Sequence, residues 1–398
     1  MYFGCDAPVV VSAVRTAIGK FGGSLSGFSM LSLAEIAGKH AIERAGIEPD
    51  RIDEVILSCA RQAGTGPNPG RALVPLLGIP EHVPGWTVNM ACGSGLKAIE
   101  TACQSIATKA SDVVLVVGAE SMSQVPYLLT GARWGYKLGS DTLHDALHKD
   151  GFMCAITKQH MGLTAENVAK RYAITRKASD AYAVLSQQRV QEAISDGRLS
   201  DEIIPVAVPT RKGAPLVFSQ DEHPRADTTP EALSRLRPVF SEDGIVTAAS
   251  ASGIADGAAA VLIMSSRAAK QMNVIPRVAL VSIASVGCDP NYMGLGPVPS
   301  TQKALQEASL DMGDIDLIEI NEAFSPQVLA CEMELGYDRE RANVNGGAIA
   351  LGHPIGMTGV RLLVALTHSM PRHNARFGLA TACINGGMGM SVITESIA

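Results

Sequence analysis

The sequence predicts a duplicated α/β fold, and three observations carry that expectation. The composition is rich in small and aliphatic residues, apolar segments alternate between two periodicities, and one end of the chain repeats the pattern of the other. Of 398 residues, 46% are hydrophobic and 18% charged, but only 4% are aromatic, and Gly occupies 39 positions. A chain of that length exceeds one ordinary hydrophobic core. A core of Ala, Val, Ile and Leu suits parallel strands buried between helices.

Short β-branched runs mark strands at residues 9–11, 55–57, 113–117, 318–320 and 379–383. Helical periodicity lies between them, at 32–45, 95–108, 301–308 and 358–369. This alternation predicts a largely parallel sheet. Residues 45–58 (AGIEPDRIDEVILS) align without gaps on residues 308–321 (ASLDMGDIDLIEIN), and both read as a helix end, an acidic turn and a buried strand. Val88-Asn89 and Val344-Asn345 each open a glycine-rich loop that runs into a helix and then another apolar strand. We read this self-similarity as duplication of a domain.

Residues 121–247 read differently, with one long polar helical pattern over 164–198 and stretches rich in Pro and charge such as 221–225. A long excursion from a compact domain usually covers a functional site. The apolar run at 253–264 is expected to rejoin the first domain.

The bulk properties exclude several function classes. A formal charge of −6 without runs of Lys or Arg argues against nucleic-acid binding. The eight cysteines form no Cys-x-x-Cys pair, so no metal site is expected. No window offers the roughly 18–20 apolar residues of a membrane span. The start MYFGCDAPVVV lacks a charged region leading into an apolar run, and the ending TESIA is no recognisable address. The expected compartment is the cytoplasm, with reduced thiols.

Three constellations carry chemistry. In residues 86–98 (WTVNMACGSGLKA) a strand ends and a helix begins at about Gly93, which places Cys92 at a helix amino terminus. Unpaired N–H groups and the helix dipole there are expected to favour thiolate. The same stretch also satisfies G-x-G-x-x-A, with Glu120 ending the next strand, so a dinucleotide-binding turn is a rival reading. In residues 343–356 (NVNGGAIALGHPIG) glycines frame His353, whose fixed orientation suits proton transfer. In residues 383–390 (CINGGMGM) Cys383 again ends a strand and runs into glycines. Duplication suggests that Cys92 and Cys383 face each other across a pseudo-twofold axis. Two thiols and an imidazole without metal spacing point to covalent acyl transfer, one thiol attacking and the other shuttling a proton.

These segments resemble the thiolase family. The likeness extends to Asn321-Glu-Ala-Phe324 and to residues 160–168 (HMGLTAENV), 237–240 (RPVF) and 294–299 (GLGPVP), and runs from Val9 to Ile393. The resemblance implies two similar α/β domains, each a five-stranded mixed sheet packed with helices in layers. The first would comprise residues 1–121 and 248–275 and the second 276–398, with a loop domain of 122–247 inserted over the active site. It implies a homo-oligomer, a dimer or tetramer, with coenzyme A thioesters as substrates and no permanently bound cofactor.

Carried over residue by residue, Cys92 accepts the acyl group and His353 takes its proton. With a water on Asn321, His353 also stabilises one oxyanion, while Cys383 deprotonates a second acetyl-CoA. The backbone N–H groups of Cys92 and Asn385 form a second oxyanion site. Met161, Arg225, Phe240, Ala248, Ser252, Met293, Ala323 and Phe324 fall at positions lining the substrate and coenzyme A channel. The His160-Met161 pair resembles the short-chain type, which condenses two acetyl-CoA to acetoacetyl-CoA and CoA or runs the reverse. A broader 3-ketoacyl-CoA thiolase is the runner-up. A non-catalytic CoA-ester-binding relative and an NAD-dependent oxidoreductase are the alternatives of other classes.

The chain departs from the family pattern at Asn385 and Met388, where Gly and Gln are usual, and at Ala249-Ser250 in place of Gly-Asn. Ala255, Ser58, Arg61 and Pro67 are atypical too.

Overall fold

The computed structural model describes residues 6–211 and 213–397; of the two chain ends read above, residues 1–5, which include Cys5, and residue 398 lie outside them. The first half runs β1 (Pro8–Thr16), α1 (Met30–Ala45), β2 (Glu54–Ser58), α2 (Pro69–Leu76), β3 (Gly85–Val88), α3 (Ser94–Ala107) and β4 (Val113–Ser121). An excursion follows, carrying α4 (Met161–Arg171) and α5 (Arg176–Ser195), before β5 (Ala255–Ser265) returns. The second half runs β6 (Val278–Gly287), α6 (Pro297–Ala308), β7 (Leu317–Ile320), α7 (Ser325–Leu335), α8 (Ile355–Arg372), β8 (Phe377–Ile384) and β9 (Met388–Ser396).

Strand order is β3-β2-β4-β5-β1 in the first half and β7-β8-β9-β6 in the second. The second half's counterpart of β3 shrinks to one parallel bridge between Ala342 and Ile318. The two sheets join edge to edge, where Val9 and Val10 of β1 pair antiparallel with Ala279 and Val278 of β6. The aligned segments fold alike: a single 3-10 turn, Pro49–Arg51 or Met312–Asp314, separates helix from strand in each. The strand ends are tied identically. Asp53 accepts from the N–H groups of Asp112 and Val113, and Asp316 from those of Arg376 and Phe377.

The sheet is more mixed than the alternation suggested. β2 pairs parallel with β3 and β4, but β5 lies antiparallel between β1 and β4. The reason is where the excursion sits. It leaves the end of β4 and returns beside it, Asp256 opposite Ser121, so β5 must run back down the sheet. In the second half the turn Asn385-Gly386-Gly387 does the same, joining β8 to β9 as a hairpin. The pattern over 164–198 is two helices. Ala173 adopts φ 51°, and the Thr175 hydroxyl caps the second helix by accepting from the Ala178 N–H.

Alternating side chains of each strand feed different cores. Val114 and Val116 face a central layer shared with Leu96, Val360, Ala380 and Val392, whereas Val113, Leu115 and Val117 face α1. α3 and α8 fill that central layer and cross at Gly95 and Gly359. A Cβ on Gly95 would come within 2.5 Å of the Val360 nitrogen, so the crossing needs glycine. The excursion is tied to β1 through Arg15, whose guanidinium bridges Glu202 and Asp221 with no exposure to solvent. No helix among the described residues is long and apolar enough to cross a membrane.

Candidate active site

The loops at the carboxyl ends of β3, β4, β7 and β8 meet beneath the excursion. After Val88 the chain turns sharply. Asn89 accepts from the Ala91 N–H at 2.9 Å, and the Ser94 hydroxyl accepts from Met90 N–H while donating to the Ala91 carbonyl. Ala91 sits at φ 47°, a conformation costly for a side-chain-bearing residue and maintained here by those bonds. The turn sets Cys92 directly before α3. The half-buried Cys92 packs against a cluster of Ala60, Met122, Leu147 and Ile355 that Phe152 also joins.

The N–H groups of Asn385 and of Cys92 itself point at this sulfur, and Arg61 adds a positive charge. Burial nevertheless dominates and pushes the Cys92 thiol up from its ordinary value. The expectation that the helix terminus would favour thiolate is therefore corrected: desolvation penalises the anion more than these groups stabilise it. A resting thiol needs a base.

His353 stands on the loop whose Ile355 packs with Cys92. Gly352 at φ 96° turns the chain, and the His353 N–H binds the Gly253 carbonyl at 2.9 Å. Nδ1 lies 2.6 Å from the Thr358 hydroxyl, which itself donates to the Pro354 carbonyl. That hydroxyl must then accept from His353, so Nδ1 carries the proton and Nε2 is the open lone pair. The Asn321 amide nitrogen stands 3.4 Å from Nε2. Burial first, then Arg361 and Arg61, bring the imidazole down to about 3.

This depression has a measurable consequence. The unfolded chain's histidine protonates below about pH 6.5 while the folded one stays neutral, so the unfolded state binds more protons and stability drops as the pH is lowered. His353 should contribute its full stability above about pH 6.5 and lose up to about 1.4 kcal/mol per pH unit as pH falls toward 3. Urea unfolding of the wild type and His353→Gln at pH 7, 6, 5 and 4 measures it. Parallel curves for the two proteins would remove His353 as the cause.

Asn321 ends β7; its N–H binds the Thr381 carbonyl at 2.9 Å, and its Oδ1 makes no hydrogen bond to protein. Cys383 lies near the end of β8 with no solvent exposure. Burial raises its thiol well above the ordinary value, and the neighbouring Cys92 sulfur raises it further. The two cysteines do meet, but not as symmetry equivalents. The counterpart of the Cys92 loop is the His353 loop, since each follows the outer strand of its half and leads into α3 or α8. Cys383 corresponds instead to the end of β4 beside Glu120, because β8 is the counterpart of β4.

Met161, Met293, Ala323 and Phe324 form one apolar cluster with Cys383 and Cys154, and Phe240 packs on it. Phe240 stacks on His160 at 4.9 Å and meets Phe324 edge-on. A Cβ on Gly162 would run into the Phe240 ring, so the stack requires glycine there. Arg225 and Ala248 lie elsewhere, on a cavity of about 380 Å³ also lined by His223, Ala251 and Gly253. Arg225 is exposed at its rim. Ser252 is not in the cavity lining; it sits between the two groups, with its N–H on the Ala323 carbonyl. A larger cavity, about 640 Å³, opens beside Arg277, Asn374 and Glu395 and has no cysteine in its lining.

Sequence reasoning missed several supports. Thr358, which sets the His353 tautomer, lies one turn into α8, where an i+5 spacing from the histidine was the available signal. Glu322 is buried and accepts from Tyr182, Ser186, Asn343 and the Ile349 N–H, joining α5 to the histidine loop. The atypical Ser58 donates to the Gly356 carbonyl at 2.6 Å, steadying the same loop. Asn385 does not use left-handed geometry; Gly386 and Gly387 do, at φ 94° and 82°. Glu120 has no exposure, and its oxygens accept from the backbone of Ala60, Arg61 and Gly356 and from the Cys59 thiol. It cannot hold a ribose, and Gly95 is closed off by α8, which removes the dinucleotide reading. Among the described residues no cluster of His, Cys, Asp or Glu is placed to hold a metal ion.

Comparison with known proteins supplies the family. The family model "Thiolase, N-terminal domain" matches residues 8–267 and "Thiolase, C-terminal domain" residues 274–396. The chain is 51% identical to the acetyl-CoA acetyltransferase of Escherichia coli K12, covering 98% of this chain and 99% of that one. It is 47% identical to the same-named protein of Thiocystis violacea, at 98% and 100% coverage. The solved acetyl-CoA acetyltransferase of Syntrophomonas wolfei superposes with TM-score 0.96 at 40% identity, over 98% of this chain and all of that one. Human mitochondrial 3-ketoacyl-CoA thiolase in complex with CoA gives 0.95 at 42%, over 99% and 98%.

Proposed function

The chain belongs to the thiolase family, and from that premise we propose that it is an acetyl-CoA C-acetyltransferase, condensing two acetyl-CoA to acetoacetyl-CoA and CoA or running the reverse thiolysis. What supports the reading is the neighbouring pair of thiols, Cys92 and Cys383, together with His353 on the loop whose Ile355 packs with Cys92 and whose imidazole keeps Nε2 unprotonated.

In the condensing direction the Cys92 sulfur attacks the thioester carbonyl while His353 Nε2 takes its proton. The oxyanion is met by the N–H groups of Cys92 and Asn385, donors worth about 3 kcal/mol each in a dry site. The C–S bond to CoA breaks, and CoA leaves with the Cys383 proton. Cys383 is now the thiolate that removes a methyl proton from the second acetyl-CoA. The enolate oxygen is held by protonated His353 and by a water on Asn321. The enolate carbon then displaces the Cys92 sulfur, which regains its proton from His353. Protons balance over the cycle, and a neutral resting triad is its natural start.

Arg225 at the cavity rim supplies a cation for coenzyme A phosphates, and Ala248, Ser252 and Met293 belong to its path inward. Leu147, Phe152 and Ile355 around Cys92, with Met161 near Cys383, leave an apolar surround suited to a short acyl group. We place the enzyme in the cytoplasm as a dimer or tetramer. The exposed Tyr127, Leu129, Trp134, Leu138 and Leu143 of the excursion are the surface that favours association. The domains we assign are 1–121 with 248–275, a loop domain of 122–247, and 276–398.

The test is incubation with acetyl-CoA and mass analysis of the Cys92 peptide, expected to gain one acetyl group. An unmodified Cys92 peptide in a protein that binds CoA would return it to a non-catalytic binding role. Thiolysis rates across 3-ketoacyl-CoA chain lengths separate the short-chain enzyme from a broader thiolase.

A further inference from the structure

The loop after β2 carries a buried cation that the reaction above does not use. Arg61 is 8% exposed, yet it makes no ion pair with a carboxylate among the described residues. Its Nη1 reaches only the carbonyls of Ala60 at 3.2 Å and Asp150 at 3.5 Å, and its Nε has no partner. Its charge acts on the buried Glu120 carboxylate, which also accepts from the Arg61 N–H, but no carboxylate bonds the guanidinium itself, and a guanidinium buried with so few acceptors is costly.

Two contacts bear on its role. The guanidinium lies flat against Gly151, in the turn His148–Phe152 of the excursion: a Cβ there would stand 2.8 Å from Nε and 3.0 Å from Cζ and Nη2. The Gly151 carbonyl in turn accepts from the Asn385 side chain at 3.0 Å, and the Asn385 N–H points at the Cys92 sulfur. Arg61, the excursion turn, Asn385 and Cys92 form one chain of contacts. Arg61 and Asn385, both departures from the family pattern, contact the same turn.

We propose that Arg61 is a positioning residue for the acyl transfer inferred above: packed on the Asp150–Gly151 turn, it holds Asn385 over Cys92 and supplies the positive charge that offsets the Cys92 thiolate as it forms. This rests on the thiolase reading. Several other groups face the two sulfurs. Glu120 from β4 opposes the thiolate, and His353 from its loop takes the proton. Cys383 from β8 adds a second sulfur, and Arg361 from α8 acts on His353. His148, Lys149 and Asp150 belong to the turn itself. Of these, Arg61 is the cation that acts on both Cys92 and His353.

The experiment is iodoacetamide alkylation of Cys92 against pH, read at the Cys92 peptide, in the full-length wild type, Arg61→Leu, Arg61→Gln and Arg61→Lys. The neutral variants should raise the alkylation midpoint by about one pH unit. They should also lower kcat about tenfold with KM for CoA within about twofold, the pattern of an interaction made in the transition state. Arg61→Lys should restore most of the midpoint because it keeps the charge. A midpoint unmoved in a folded neutral variant, or moved equally by Lys and Gln, overturns the proposal. Should Leu fail to fold, the Gln–Lys pair decides alone. Alkylation needs no substrate, so this result stands however the acetylation test falls.

Discussion

Cys383→Ala is expected to stop carbon–carbon bond chemistry while leaving Cys92 able to take an acetyl group. Cys383 has no solvent exposure, its thiol is pushed well up by burial, and the Cys92 sulfur lies beside it. In the mechanism we propose, it is the proton donor and acceptor for the second substrate. Loss of a positioned acid–base group costs about 10²–10⁴ in rate. Acetoacetyl-CoA formation and cleavage should fall by at least the upper part of that range. Acetylation of the Cys92 peptide by acetyl-CoA should persist, with CoA leaving unprotonated or by way of His353. Cys92→Ala, by contrast, should end both the adduct and turnover. Retained condensation in Cys383→Ala would reassign the shuttle to His353; loss of the Cys92 adduct in the same variant would mean that the two thiols act in one step.

The largest stability effect should come from Arg15→Met. Arg15 is fully buried, bonding Glu202 through Nε at 2.7 Å and Asp221 through Nη1 and Nη2 at 2.8 and 3.0 Å. These charges hold the guanidinium above its usual range despite the burial that opposes it. Asp221 also accepts from the Ile18 N–H, so the pair cannot simply swing out to water. Removing the cation strands two buried carboxylates, which costs about 3–5 kcal/mol. Chemical denaturation measures the loss. A change below about 1 kcal/mol would show that water reaches the site and that the pairs contribute little to stability. The same bonds fasten the excursion to β1, so limited proteolysis should cut the variant first within residues 196–230.

Much of this protein is legible in its residues. The aligned segments at 45–58 and 308–321 foretell the shared helix–turn–strand units, because alternation and turn chemistry act over a few neighbouring residues. Cys92, His353 and Cys383 stand out for the same reason: each sits in a glycine-rich loop after an apolar run, a local signature. The long pattern at 164–198 misled because periodicity continues through a break that only the Thr175 cap and the turn at Ala173 create. Alternation alone pointed to a largely parallel sheet, and the mixed one followed only from the family resemblance, because the direction of β5 depends on where the excursion returns.

By itself, then, the order of residues determined the duplicated α/β plan and the family, and it singled out Cys92, His353 and Cys383 as the candidate trio. Tertiary structure alone decided that the Cys92 thiol is neutral at rest, that Thr358 assigns the His353 proton, that Cys92 and Cys383 come from non-equivalent strand ends, and that Arg61 lies against the excursion turn. The reason is physical. Propensity and periodicity are properties of neighbours in sequence, whereas desolvation, charge pairing and tautomer choice depend on groups that only folding brings together.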